Sequence, residues 1–158
     1  MFLEWIPNAI TLLNLQCGLL GLIYCAQNEF NQVYLCSIFS SIFDLIDGKV
    51  ARYLQVESPI GAELDSLSDI VSFVVLPSMV GFMKYQYIVP TSLYLACGAY
   101  RLARFNVSHS TTSFEGISTP LSNVVILTAI YCDFPYMYCL YIIMAFLMIS
   151  KIKIIRLI

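Results

Sequence analysis

The chain has 158 residues and a formal net charge of −2, a length that fits one domain. Hydrophobic residues make up 59% and charged residues only 11%, whereas an ordinary globular domain is roughly 25% charged. A fully solvated exterior is therefore excluded, the expected solvent is a bilayer, and the acidic balance leaves no basic footprint for nucleic acid.

A transmembrane helix needs about 20 mostly apolar residues to cross roughly 30 Å of hydrocarbon, and the charges mark where such helices can lie. No charge falls between Glu4 and Glu29, so the first span is expected at residues 7–27. It has no basic residues before it, which argues against a cleaved signal peptide. A second span at 30–43 runs into Asp44 and Asp47, and a third at 70–83 follows Asp65 and Asp69. Between them, residues 56–61 read as a loop: Pro59 disfavours helical geometry at Ser58, and Gly61 offers a permissive backbone. A fourth span at 85–100 ends at Arg101 and Arg104. The polar stretch 108–118 forms a second break, where Ser118 or Thr119 can cap a helix and Pro120 suits its first turn. Spans five and six are expected at 116–132 and 134–150, before Lys151. The predicted fold is all-α, an integral membrane bundle of about six transmembrane helices forming one domain over residues 1–158.

Orientation follows from Lys and Arg. Lys49, Arg52, Arg101, Arg104, Lys151, Lys153 and Arg156 share one side of such a bundle, and only Lys84 lies on the other. Both termini and the acidic stretch are thus expected in the cytoplasm. Trp5 gives a weak aromatic-belt signal. Cys17, Cys25, Cys36, Cys97, Cys132 and Cys139 lie in apolar stretches without a C-x-x-C pair, which suits small buried or lipid-facing side chains better than disulfides or a metal site.

The informative stretch is FDLIDGKVARYLQVESPIGAELDSLSDI, from Phe43. Asp44 and Asp47 are three apart at the expected end of one helix, and Asp65 and Asp69 four apart at the start of the next. Each spacing puts both carboxylates on one helix face, and an antiparallel pair of helices lets all four converge. Such a cluster in a low dielectric needs protons or cations. Oxygen ligands suit Mg²⁺, Mn²⁺ or Ca²⁺ rather than zinc, and two ions sharing the cluster fit four carboxylates better than one. Gly48, Ala51 and Gly61 let a bulky ligand approach the backbone. Arg52 suits a phosphate oxygen or an aspartate. Taken singly, each residue has an ordinary explanation: a solvated helix end, a packing glycine, a membrane anchor. Glu63 reads as a solvated face and His109 as a loop residue without a ligand-like partner. The set at fixed spacing points instead to metal-assisted displacement at phosphorus on a lipid substrate.

These residues resemble the CDP-alcohol phosphatidyltransferases, whose signature is D-x-x-D-G-x-x-A-R, eight residues, then G-x-x-x-D-x-x-x-D. Asp44, Asp47, Gly48, Ala51, Arg52, Gly61, Asp65 and Asp69 fill every specified position. The flanks are similar to the phosphatidylserine synthase branch: Ile6-Pro7-Asn8 with Thr11-Leu12-Leu13-Asn14-Leu15, the run from Glu63 to Phe73, and Arg101-Leu102-Ala103-Arg104-Phe105-Asn106 followed by Phe114-Glu115-Gly116. Val74 stands where that branch usually has Gly, and some members carry further C-terminal helices beyond the position of Ile158.

The resemblance implies transfer from CDP-diacylglycerol to an alcohol with release of CMP. It implies Mg²⁺ or Mn²⁺ on Asp44, Asp47 and Asp65, with Asp69 completing the cluster and acting as general base. It also implies a nucleotide site of Asn8, Thr11, Asp47, Gly48, Ala51, Arg52 and Gly61, and a homodimer in a bacterial or archaeal inner membrane. For the acceptor, Arg101, Arg104 and Asn106 are the candidates, with Thr119 and Ser122 as further hydrogen-bond partners. Physics alone leaves L-serine, glycerol 3-phosphate and inositol open, and the flanks favour serine. A divalent-cation carrier is the reading outside enzymes; it leaves Gly48, Ala51, Gly61 and Arg52 without a task.

Overall fold

The computed structural model describes residues 3, 5–107 and 116–150. Among these, the regular elements are all helical: α1 (Trp5–Ala26), α2 (Phe30–Leu54), α3 (Pro59–Tyr85), α4 (Ile88–Val107), α5 (Thr119–Tyr131) and α6 (Met137–Ile149). The turns are short and chemically marked. Asn28 and Gln86 take left-handed backbone angles (φ 62° and 57°) between α1 and α2 and between α3 and α4. Gln55 (φ 55°) closes α2, its N–H reaching back to the carbonyls of Ala51 and Arg52, the geometry by which a helix end satisfies its last carbonyls. Ser58 is extended before Pro59, and its Oγ accepts from the Gly61 N–H at 3.1 Å.

The helix count matches the expectation, but the helix ends do not. α2 continues to Leu54 instead of stopping at 43, and α3 begins at Pro59 instead of 70. Charged residues end an apolar run without ending a helix. Lys49, Ala51, Arg52 and Leu54 are good helix formers, so the connection shrinks to residues 55–58. All four aspartates therefore lie inside helices, not at their tips. Gly61 is correspondingly no loop residue: it sits in the first turn of α3.

α1 packs along α2, α4 packs along α6, and α3 runs between them against α1, α4 and α5. Polarity is inverted relative to a water-soluble bundle. Asn14, Ser37, Ser40, Ser68, Ser72 and Asn123 are buried, while Leu19 and Phe39 are 54% and 53% exposed. An apolar exterior around polar helix contacts is what lipid selects, and the architecture is that of an all-α membrane protein. α1 and α3 are long and apolar enough to cross a bilayer. α5 and α6, at 13 residues each, cover only about 20 Å at 1.5 Å per residue. All six cysteines are free.

Within α3 the backbone widens into a π-helical stretch at Ile70–Val75, directly after Asp69. Val74, the departure from the usual glycine, is fully buried. It fills a hollow over Gly98 of α4, where a Cβ would come within 2.6 Å of Val74 Cγ1.

Candidate active site

The turn at residues 55–58 folds α3 back beside α2 and brings the acids together. One carboxylate oxygen from each of Asp44, Asp47 and Asp65 lies within 4.8 Å of the others. Asp69 lies deeper, 8% exposed, with its carboxyl facing that of Asp44. Two of the four carboxylates have hydroxyl anchors from other helices. Thr11 Oγ1, from α1, donates to Asp47 Oδ2 at 2.7 Å. Thr119 Oγ1, from α5, donates to Asp69 Oδ2 at 3.5 Å. Asp69 Oδ1 is buried and has no hydrogen-bond partner among the described residues. Closely spaced carboxylates in a poorly solvated site repel one another unless a cation intervenes. An all-oxygen donor set of this kind fits a hard divalent ion.

Beside the acids opens a cavity of about 620 Å³ whose lining includes Pro7, Asn8 and Thr11 of α1, Asp47, Gly48, Ala51 and Arg52 of α2, and Gly61 and Asp65 of α3. The two glycines act here through the side chain they lack. A Cβ at Gly61 would stand 3.1 Å from both Asn8 Oδ1 and Ser58 Oγ, and one at Gly48 would lie 3.7 Å from Arg52 Nη1. The Arg52 guanidinium thus lies over Gly48, one helical turn on, at the cavity wall. Every residue expected to form the nucleotide site lines this one cavity.

The three acceptor candidates diverge. Arg101, 9% exposed, turns towards α5: its Nη1 donates to Thr119 Oγ1 at 3.5 Å, and its Nε is buried without a partner among the described residues. Arg104 Nη1 donates to the Ile149 carbonyl of α6 at 3.3 Å. Asn106 is held by α3, donating to Glu63 Oε2 at 3.0 Å and accepting from Ser66 Oγ at 2.7 Å. Arg101 lies beside Asp69. Thr119 does not cap α5, because its hydroxyl goes to Asp69, and the N-cap residue Ser118 makes no side-chain cap bond. Ser122 Oγ is buried without a partner among the described residues. Lys84, on the opposite side of the bundle, pairs with Asp133 at 2.8 Å. His109, Glu115, Lys151, Lys153 and Arg156 lie outside the described residues.

Sequence reasoning missed the layer beneath the acids. Ser68 Oγ donates to the Thr11 carbonyl at 3.1 Å and Ser72 Oγ to the Asn14 carbonyl at 3.2 Å. Ser40 Oγ hydrogen-bonds Asn14 Oδ1. The available signal was periodicity: Ser68 and Ser72 each follow an aspartate of α3 by three residues, which puts small polar groups on the acid-bearing face of an apolar helix.

The described residues form a helical bundle with paired aspartates on two neighbouring helices beside a glycine-floored cavity, and comparison with known proteins identifies the family. The family model for CDP-alcohol phosphatidyltransferase matches residues 4–154, and the chain belongs to this family. Among curated relatives, a Methanocaldococcus jannaschii protein is 36% identical over 155 residues, covering 94% of this chain and 72% of that protein. A Bacillus subtilis protein is 31% identical over 159 residues, covering 96% of this chain and 90% of the relative. A Helicobacter pylori protein is 32% identical over 139 residues, covering 82% of this chain but only 59% of the relative's length. All three are named CDP-diacylglycerol–serine O-phosphatidyltransferase.

Proposed function

We propose that this chain transfers the phosphatidyl group of CDP-diacylglycerol to the hydroxyl of L-serine, giving phosphatidylserine and CMP. The observation that carries the proposal is that Asp47 and Asp65 of the aspartate cluster line the cavity that Gly48, Gly61 and Arg52 shape. In it, Asp44, Asp47 and Asp65 would hold Mg²⁺ or Mn²⁺, two ions in our reading, with Asp69 completing the set. The bound metal would supply charge neutralisation of the diphosphate and of the departing CMP.

The remaining work falls to the protein. Thr11 fixes the Asp47 carboxylate by its 2.7 Å bond. Asn8, Gly48, Ala51 and Gly61 leave room for the cytidine, and Arg52 reaches a phosphate oxygen or steadies an acid. The diacyl tails stay in lipid while the headgroup is held in line with the acceptor. Asp69 accepts the serine hydroxyl proton as the new oxygen–phosphorus bond forms and the bond to CMP breaks. The acceptor is a zwitterion whose carboxylate needs a cation. Arg101 is best placed for it, since it lies beside Asp69 with an unpartnered Nε; Arg104 and Asn106 support the same end of α4. The site faces the cytoplasm in this proposal, as the distribution of Lys and Arg favours, in a bacterial or archaeal inner membrane, and the assembly is a homodimer.

The test is CMP release by the purified protein in detergent with CDP-diacylglycerol, Mn²⁺ and, in turn, L-serine, glycerol 3-phosphate and inositol. Serine-dependent release is expected. Folded protein that releases no CMP with any acceptor refutes phosphatidyl transfer, and release with another acceptor alone refutes the serine assignment.

A further inference from the structure

Between α3, α4 and α5 lies a buried chain of three groups whose middle member has no part in the transfer as described. Asp69 is 8% exposed, Arg101 9% and Thr119 0%. Arg101 Nη1 lies 3.5 Å from Thr119 Oγ1, and Thr119 Oγ1 lies 3.5 Å from Asp69 Oδ2. With Asp69 ionised, as a base must be, the chemistry of the groups fixes the direction of both bonds. A guanidinium only donates, an ionised carboxylate only accepts, and a threonine hydroxyl has a single proton. Arg101 therefore occupies a lone pair of Oγ1, and the one hydroxyl proton goes to Asp69 Oδ2.

This matters because the terminal torsion of an aspartate is broad and nearly two-fold. An unanchored carboxyl turns between equivalent positions and presents either oxygen. Here Oδ2 is tied to α5 while Oδ1 stays buried and bare. Thr119 is itself held: it is the first residue of α5, between an extended Ser118 and Pro120, and its β-branch restricts χ1. The hydroxyl is not drawn off to cap the helix: it accepts from Arg101 and turns its one proton to the acid.

We propose that Thr119 is a positioning residue for Asp69, holding Oδ2 so that Oδ1 is the oxygen presented to the acceptor hydroxyl. The inference rests on the phosphatidyl transfer proposed above, with Asp69 as its base.

Thr119→Val, Thr119→Ser and Thr119→Ala, made in the full chain and assayed in detergent with CDP-diacylglycerol, L-serine and Mn²⁺, test it. Thr119→Val keeps the shape and removes the hydroxyl. It is expected to lower kcat by about 10–100-fold, the usual loss when a group that orients a catalytic ligand is removed. The KM for CDP-diacylglycerol stays within about 3-fold, the pattern of an interaction made in the transition state. CDP binding with Mn²⁺, measured by calorimetry, is expected to be unchanged. Thr119→Ser is expected to recover kcat to within about 3-fold of the parent, because it restores the hydroxyl without the methyl. A kcat for Thr119→Val within about 2-fold of the parent overturns the proposal. So does a loss in which CDP binding and melting temperature fall together, since that marks a packing role. Should Thr119→Val fail to fold, Thr119→Ser against Thr119→Ala decides: serine far ahead of alanine supports the proposal, and equal activities overturn it. A parent protein inactive with every acceptor refutes the transfer reaction itself, and this inference with it.

Discussion

Two seams of the bundle are built on opposite principles. Where α1, α2 and α3 meet, the contact residues are small and polar: Ser72 and Ser40 bond Asn14, Ser68 bonds the Thr11 carbonyl, and Thr11 bonds Asp47. Where α3, α4 and α6 meet, they are large and apolar or aromatic. Tyr94 and Tyr141 stack edge to face at 5.7 Å, and the Tyr141 hydroxyl reaches the Pro77 carbonyl at 2.5 Å. Around them Leu76, Val80, Met144 and Met148 are buried. Directional bonds to backbone set the relative positions of helices closely, as four converging carboxylates require. Shape-filled packing supplies most of the attraction at the second seam, where the Tyr141 and Tyr94 hydroxyls add bonds to the Pro77 and Phe73 carbonyls away from the acids. One seam thus places chemistry and the other holds the bundle closed, so damage to each should be read by a different assay.

The sharpest contrast comes from Asp65→Asn. It is expected to lower CMP release by about 10³-fold or more, in the range seen when an acid–base or charge-stabilising group is lost. The metal-free protein should melt no lower than the parent, because one of several repelling carboxylates has become neutral. A variant with near-parental turnover would remove Asp65 from the site.

Gly81→Ala tests the opposite seam. A Cβ there would lie 2.6 Å from Tyr141 Oη and 2.8 Å from Thr91 Cγ2, so overpacking is expected to cost about 1–3 kcal/mol. Thermal melting in detergent should show the loss, while turnover per folded molecule changes by less than about 2-fold. A large fall in turnover with unchanged melting would break the division between the seams.

The smallest effect is expected at Lys84→Met. The pair with Asp133 spans 2.8 Å, but the side chains are 28% and 80% exposed, and such pairs contribute about 0–1 kcal/mol. Melting and CMP release should both stay near the parent values. A strong loss of activity would show that this side of the bundle communicates with the acids.

The site was more legible in the sequence than the fold around it, for a physical reason. The spacings from Asp44 to Asp47 and from Asp65 to Asp69 are set by the helix repeat, so a linear pattern reports which side chains share a face. Helix ends were misplaced because charge marks where an apolar run stops, and Lys49 and Arg52 are at ease inside a helix. The use of Thr119 was hidden because it depends on a contact fifty residues away in sequence; locally, a threonine before proline reads as a cap. The different directions of Arg101, Arg104 and Asn106 were hidden too, since they depend on which helix each meets, and only assembly of the bundle decides that.

The widened turns at Ile70–Val75 carry one more consequence. An α-helix advances about 100° per residue, and a π stretch absorbs roughly one extra residue within the same rise. The part of α3 bearing Asp65 and Asp69 is therefore out of phase with the part bearing Leu76 and Val80. Were the same residues wound as a continuous α-helix, both carboxylates would swing about a quarter-turn around the axis relative to Leu76 and Val80. The aim of the acids is thus set by the widened turns as well as by their own spacing, and a change that tightened those turns at unchanged length would disarm the cluster with every aspartate still in place.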